Sequence, residues 1–148
     1  MSKALSNKTL LNNISTLNTY SEYFATISLV PTSGTITLSE KVLNYTRIGN
    51  RVFLSGRVFV SGVSSPTGDL TIQGLPFTAF NASGAYSALS VWAGGMLATT
   101  PHSVVQANIP ANTNYMYIRG YLNGAEVITM ANNIQAGSYL IIGGSYQV

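Results

Sequence analysis

Few side chains in this sequence are equipped to make or break a bond. The acids are Glu22, Glu40, Asp69 and Glu126, and the one histidine is His102. There is no cysteine, which removes disulfides, thiolate nucleophiles and thiolate metal sites together. Glycoside hydrolysis by the usual route needs two carboxylates held about 5–9.5 Å apart, one to protonate the leaving group and one to attack or to activate water. The four acids fall in four separate segments, and nothing in their spacing pairs any two. Asp69 follows Gly68 and reads as a residue closing a turn. A nucleophilic serine needs a histidine and an acid beside it. His102 sits in the loop-like Thr99-Thr100-Pro101-His102-Ser103, and no Gly-x-Ser-x-Gly elbow is present. Three copies of His102 about a molecular axis are the one arrangement that would offer a metal site, and no neighbouring histidine supports it. Gly94-Gly95 and Gly143-Gly144 are isolated pairs without the context of a phosphate-binding loop. The expectation is a protein that is not an enzyme, with no catalytic residue, no metal and no cofactor.

The aromatic residues are the remaining chemical resource: nine Tyr, five Phe and one Trp. Tyrosine joins a flat apolar body to a polar tip, which suits a neutral sugar when amides and hydroxyls stand nearby. The candidate ligand-binding residues are Tyr86, Trp92, Asn114, Tyr115, Tyr117, Arg119, Tyr121 and Asn123. The competing reading is that the same rings fill the core or an interface between subunits.

The elements that must position these side chains are strands. Only 7% of the residues are charged, against a usual ~25%, and Gly, Ser, Thr and Asn stand in their place. The wet faces of long helices are rich in Glu, Lys and Ala, which are scarce here. From Ala25 onward, short apolar runs are broken every 8–12 residues by Gly, Pro, Asn or Ser, the spacing of a sandwich or barrel. The fold class expected is all-β, an antiparallel β-sandwich of jelly-roll type over residues 25–148, with a short N-terminal helix or arm over residues 1–24. In that first segment Leu10, Ile14 and Leu17 fall on one helical stripe, suited to bringing copies of the chain together or to docking on another protein. The net charge of +3 is scattered rather than gathered into the basic stripe that nucleic acid requires. No run of ~18 apolar residues is available to cross a membrane, and the first residues lack the apolar stretch of a secretory signal.

Two turns fix registers. If Gly49-Asn50 closes a two-residue hairpin, Tyr45 faces Leu54 and Arg47 faces Val52. Val52, Leu54, Val58 and Val60 then share a core face with Leu43 and Tyr45. Phe53, Arg57 and Phe59 point the other way, and Phe with Arg on an outer face suits a subunit interface. Across Asn123-Gly124, Tyr121 faces Glu126, Arg119 faces Ile128 and Tyr117 faces Met130. Tyr115, Tyr117, Arg119 and Tyr121 form one face, with Met116, Ile118, Leu122 and Val127 on the other. Both faces of both hairpins are largely apolar, whereas a lone sandwich keeps one face wet. A homo-oligomer follows.

The phrase Asn44-Tyr45-Thr46-Arg47-Ile48-Gly49-Asn50-Arg51-Val52, followed by Gly74-Leu75-Pro76-Phe77 and by the closing Gly143-Gly144-Ser145-Tyr146, resembles the receptor-binding tips of bacteriophage tail fibres. The resemblance implies a trimeric β-domain of the virion, made in the host cytoplasm, that attaches the particle to host cell-surface polysaccharide. It implies no catalytic residue. With so few residues before the first strand, the chain reads as a short fibre docking through its N-terminal segment onto other virion or baseplate proteins, or as a piece of a longer fibre. The alternative is a structural virion component, such as a head fibre, decoration or fibre adaptor protein, that binds no receptor.

Overall fold

The computed structural model describes residues 23–97, 104–127 and 129–148. The stripe Leu10, Ile14 and Leu17, the helix expected around it and the loop histidine His102 lie outside the described residues. Among the described residues eight strands follow one another: β1 (Tyr23–Phe24), β2 (Ser28–Ile48), β3 (Arg51–Gln73), β4 (Ser87–Gly94), β5 (Val104–Ile109), β6 (Tyr115–Leu122), β7 (Ala125–Val127) and β8 (Tyr139–Gln147). A 3-10 turn, Met130–Asn133, precedes β8.

Every strand pairing is antiparallel, as an all-β chain with these turns should give. The layering differs from a sandwich of two open sheets. One sheet runs in the order β1-β2-β3-β8-β4-β5-β6-β7, and β3 also pairs with β6. That extra pairing closes β3, β8, β4, β5 and β6 into a five-stranded barrel, with β2 and β1 added outside β3 and β7 added outside β6. Closure is possible because β3 changes partner along its length. Residues 51–59 pair with β8 and residues 70–73 pair with β6. A barrel must stagger its strands to close, and the stagger here is large. The cross-strand row that leaves β3 at Ser55 passes Gly143, Ser90, Gln106 and Arg119, and meets β3 again beside Asp69.

The first hairpin has the register its turn dictates: Ile48 opposite Arg51, Arg47 opposite Val52, Tyr45 opposite Leu54. Gly49 takes a φ of 59°, the left-handed first position that a type II′ turn reserves for glycine. The breaks anticipated within β2 and β3 are not strand ends. Register shifts between Pro31 and Glu40, with Gly34 and Ser65 at positive φ, bend the paired ribbon while its ladder continues, which is what bulges do. Hence Asp69 lies inside a strand instead of closing a turn. Beyond Leu122 the opposite happens. Asn123 and Gly124 both have positive φ, as a type I′ turn requires, and Tyr121 pairs with Glu126. Yet β7 stops at Val127, and Met130 turns inward, fully buried. The expected pairing of Tyr117 with Met130 does not form. Tyr117 lies between Asn108 and Thr71 instead, and Ile128 is outside the described residues.

The alternate residues of these strands fill the barrel. Leu43, Val52, Leu54, Val58, Val60, Leu70, Ile72, Ile109, Met116, Ile118, Leu140 and Ile142 are buried, each such side chain contributing roughly 1.5–3 kcal/mol of transfer free energy. One end of the barrel is stopped by the loop after β3. Phe77 packs edge-on to Tyr45 at 5.7 Å and lies under the Arg47 guanidinium at 4.8 Å. The buried Tyr146 hydroxyl accepts from the Phe77 N–H at 3.2 Å and donates to the Phe77 carbonyl at 3.0 Å. The opposite end is capped by Met130, Ala131 and Ile134, tied down where the Ser138 hydroxyl donates to the Gly95 carbonyl at 3.0 Å.

Candidate functional site

With Met116 and Ile118 committed to the core, the strand period of two turns Tyr115, Tyr117, Arg119 and Tyr121 to the outer wall. They are partly exposed there. The Tyr115 and Tyr117 rings meet edge-to-face at 5.3 Å, and the Arg119 guanidinium lies 4.1 Å from the centre of the Tyr117 ring. The Tyr115 hydroxyl is held above its ordinary pKa, first by a hydrogen bond with Tyr117, then by burial, then by the nearby phenols of Tyr117 and Tyr86. Tyr86, just ahead of β4, therefore belongs to the same group although it is distant in sequence. It is 66% exposed.

Beside this face runs an open groove of about 310 Å³ over β5. Tyr86 stands on one side of it, and Arg119, Tyr121 and Glu126 on the other. Gln106 and Asn108, the outward residues of β5, form its floor together with Ala88. These two amides were not singled out from the sequence. The signal was the period of two in Val104–Ile109, where Ala107 and Ile109 point inward and leave Gln106 and Asn108 on the wall. The Asn108 Oδ1 is buried and has no hydrogen-bond partner among the described residues.

The fold also pairs two acids that sequence spacing kept apart. Arg119 Nη1 donates to Asp69 Oδ1 at 3.2 Å, and Arg119 Nε stands 3.7 Å from Glu126 Oε1. Asp69 arrives because the staggered barrel brings the far half of β3 alongside β6. Glu126 arrives through the Asn123-Gly124 hairpin. Neither route is visible as a spacing in the chain. The guanidinium occupies the space between the carboxylates, so the trio is an ion-paired support for the tyrosine face. Among the described residues no cluster of metal-ligating side chains is present.

The other candidates disperse. Asn114 precedes β6 and Asn123 follows it, separated by roughly 30 Å along an extended strand, so one small ligand does not touch both. Trp92, 69% exposed, lies on β4 away from the tyrosines. It belongs to a cross-strand row Val42–Arg57–Ile141–Trp92. Phe53 is 46% exposed on the same outer wall, and Arg57 reaches over Phe59 and Tyr139 at 5.2 and 5.5 Å. Phe53, Arg57 and Phe59 thus stand on the outward face expected of them, joined by Val42, Ile141 and Trp92 as exposed apolar surface.

No protein-family model matches the chain, and no curated protein matches it. Among solved structures, the crystal structure of the Dettilon tailspike protein is similar, with a TM-score of 0.75 and 25% sequence identity. The match covers 86% of this chain and 23% of the tailspike chain. The present fold therefore corresponds to less than a quarter of that protein, and the similarity is to one part of a phage tail protein.

Proposed function

We propose that this chain is a phage tail attachment protein that holds a host cell-surface polysaccharide in the groove over β5 and does not cleave it. The observation that carries the proposal is the joining of Tyr86, Tyr115, Tyr117, Arg119 and Tyr121 into one outward aromatic face, on a barrel similar to part of a tailspike. Aromatic faces bordered by amides are suited to sugars, whose rings present C–H surface to stack and hydroxyls to bond. Binding without cleavage accords with Arg119, which fills the gap between Asp69 and Glu126 where a glycosidic oxygen and a water would have to sit.

In this reading the protein works on the virion as a homotrimer, with residues 1–24 docking on neighbouring virion proteins. Three weak sites on one axis gain avidity when they engage a repetitive polysaccharide together. The exposed row Val42, Ile141 and Trp92 with Phe53 favours contact with protein, either another copy or a virion component. A purely structural virion role is the second reading that this row supports.

The fluorescently labelled chain, applied to intact bacteria of a broad panel with its solution mass taken on the same sample, separates the two. Selective staining by a particle of three chains, weakened by Tyr86→Ala, is the result expected of an attachment protein. A well-folded trimer that stains no strain points to the structural role instead.

A further inference from the structure

We infer that the groove over β5 selects saccharides without acidic groups, neutral sugars and N-acetylated amino sugars, and rejects those bearing uronate or sialate carboxylates. The inference rests on the binding reading above and names its ligand class.

The charge arrangement argues for it. Recognition of a carboxylate usually relies on an arginine presenting a fork of N–H donors. The arginine of this groove is Arg119, and its Nη1 and Nε already face Asp69 and Glu126 at 3.2 and 3.7 Å, while its flat side covers Tyr117. Two carboxylates surround one guanidinium, so the trio carries one excess negative charge. Glu126, half exposed, borders the groove beside Arg119 and is the carboxylate of the trio that does so. Among the described residues no other cation lines it. An acidic sugar would bring a second negative charge towards Glu126 with no guanidinium fork left to receive it.

The hydrogen-bonding capacity points the same way. The Asn108 Oδ1 has no partner among the described residues, and a buried acceptor left unmatched calls for an explanation. Asn108 lines the groove, and its side-chain oxygen is an acceptor that a ligand's donor would satisfy. With Glu126 it makes two acceptors wanting donors. Sugar hydroxyls and the N–H of an N-acetyl group are donors; a carboxylate is not. Tyr86 and Tyr121 supply the apolar surfaces against which the ring would lie.

The test is an array of bacterial surface oligosaccharides, grouped as neutral, N-acetylated and acidic, probed with the full chain and with Tyr86→Ala and Glu126→Gln. The expected result is binding confined to the non-acidic groups and nearly independent of salt from about 0.05 to about 0.5 M. Tyr86→Ala should weaken it roughly three- to tenfold. Glu126→Gln should improve the relative affinity of acidic members about threefold. Acidic hits that depend on Tyr86 would overturn the inference and leave the attachment reading standing. Hits indifferent to Tyr86→Ala would place the ligand elsewhere and overturn it as well. An array with no hits at all would remove the glycan-binding reading and the inference with it.

Discussion

Among the described residues Tyr146 is the largest side chain with no exposed surface, and its hydroxyl is bonded to both backbone groups of Phe77. Burial pushes its pKa up to about 12; the bond to the Phe77 backbone and the charge of Arg47 oppose that rise, and Tyr45 adds to it. In the unfolded chain the phenol titrates near its ordinary value of about 10. Between those values the folded state retains a proton that the unfolded state has lost. Stability contributed by this group is therefore full below pH 10 and is lost as the pH rises through 12, amounting to roughly 2–3 kcal/mol. Urea denaturation at pH 9 and at pH 11.5 should show the decline, and Tyr146→Phe should flatten it. The same variant leaves the Phe77 N–H and carbonyl without their partner, at a cost of about 1–3 kcal/mol, read as a lowering of the melting temperature by several degrees. Sequence reading placed Tyr146 on a closing strand. It did not foresee Phe77 as its partner, because a hydroxyl's partner 69 residues away has no periodic signature. The tyrosine face of β6 was legible, since an alternating run displays its two faces directly. Tyr86 was a candidate from the sequence, and its place beside that face came only with the fold.

At the scale of elements, the two hairpins show what local chemistry specifies. Gly49-Asn50 and Asn123-Gly124 set the registers around them residue by residue, because a two-residue turn leaves no slack. Gly56 shows a second constraint, one of space. A Cβ added there would lie 2.1 Å from the Val42 carbonyl oxygen and 2.7 Å from the Leu43 Cα, where only backbone could yield. Gly56→Ala should cost roughly 1–3 kcal/mol or more, with the midpoint of denaturation lowered and the slope unchanged. An unaltered midpoint would mean that β2 shifts freely against β3. The long bent ribbon was not legible as one element. Gly34, Ser65 and Gly68 look like strand breakers when read along the chain, whereas in the fold they are bends within continuous pairing. Conversely, the apolar residues after Val127 suggested a longer strand, but Met130 and Ala131 are drawn into the end of the barrel, a tertiary demand that outweighs strand preference.

The closure of the sheet belongs to the whole molecule and has no counterpart in local sequence. It depends on Leu70–Gln73 finding β6 as well as Arg51–Phe59 finding β8, two non-local choices made by one strand. The outer wall left by that closure exposes Val42, Phe53, Trp92 and Ile141. If the proposed trimer uses this wall, Phe53→Glu combined with Ile141→Glu should leave the barrel folded by circular dichroism while sedimentation shows single chains. A trimer that survives both changes would assign assembly to other surfaces.

In the proposed attachment role the chain would also be a tether, and the double pairing of β3 bears on how the barrel would carry a load. Most barrels close along a seam where the first strand of the sheet meets the last. Here one long strand supplies both the length that pairs with β8 and the length that closes on β6, laced obliquely round the wall. Tension drawn along β3 would have to slide it past β8 and β6 together, so the ladders would be loaded along their length and would yield collectively instead of unzipping one rung at a time. The wall that presents the tyrosines would keep its shape until that shared threshold is reached.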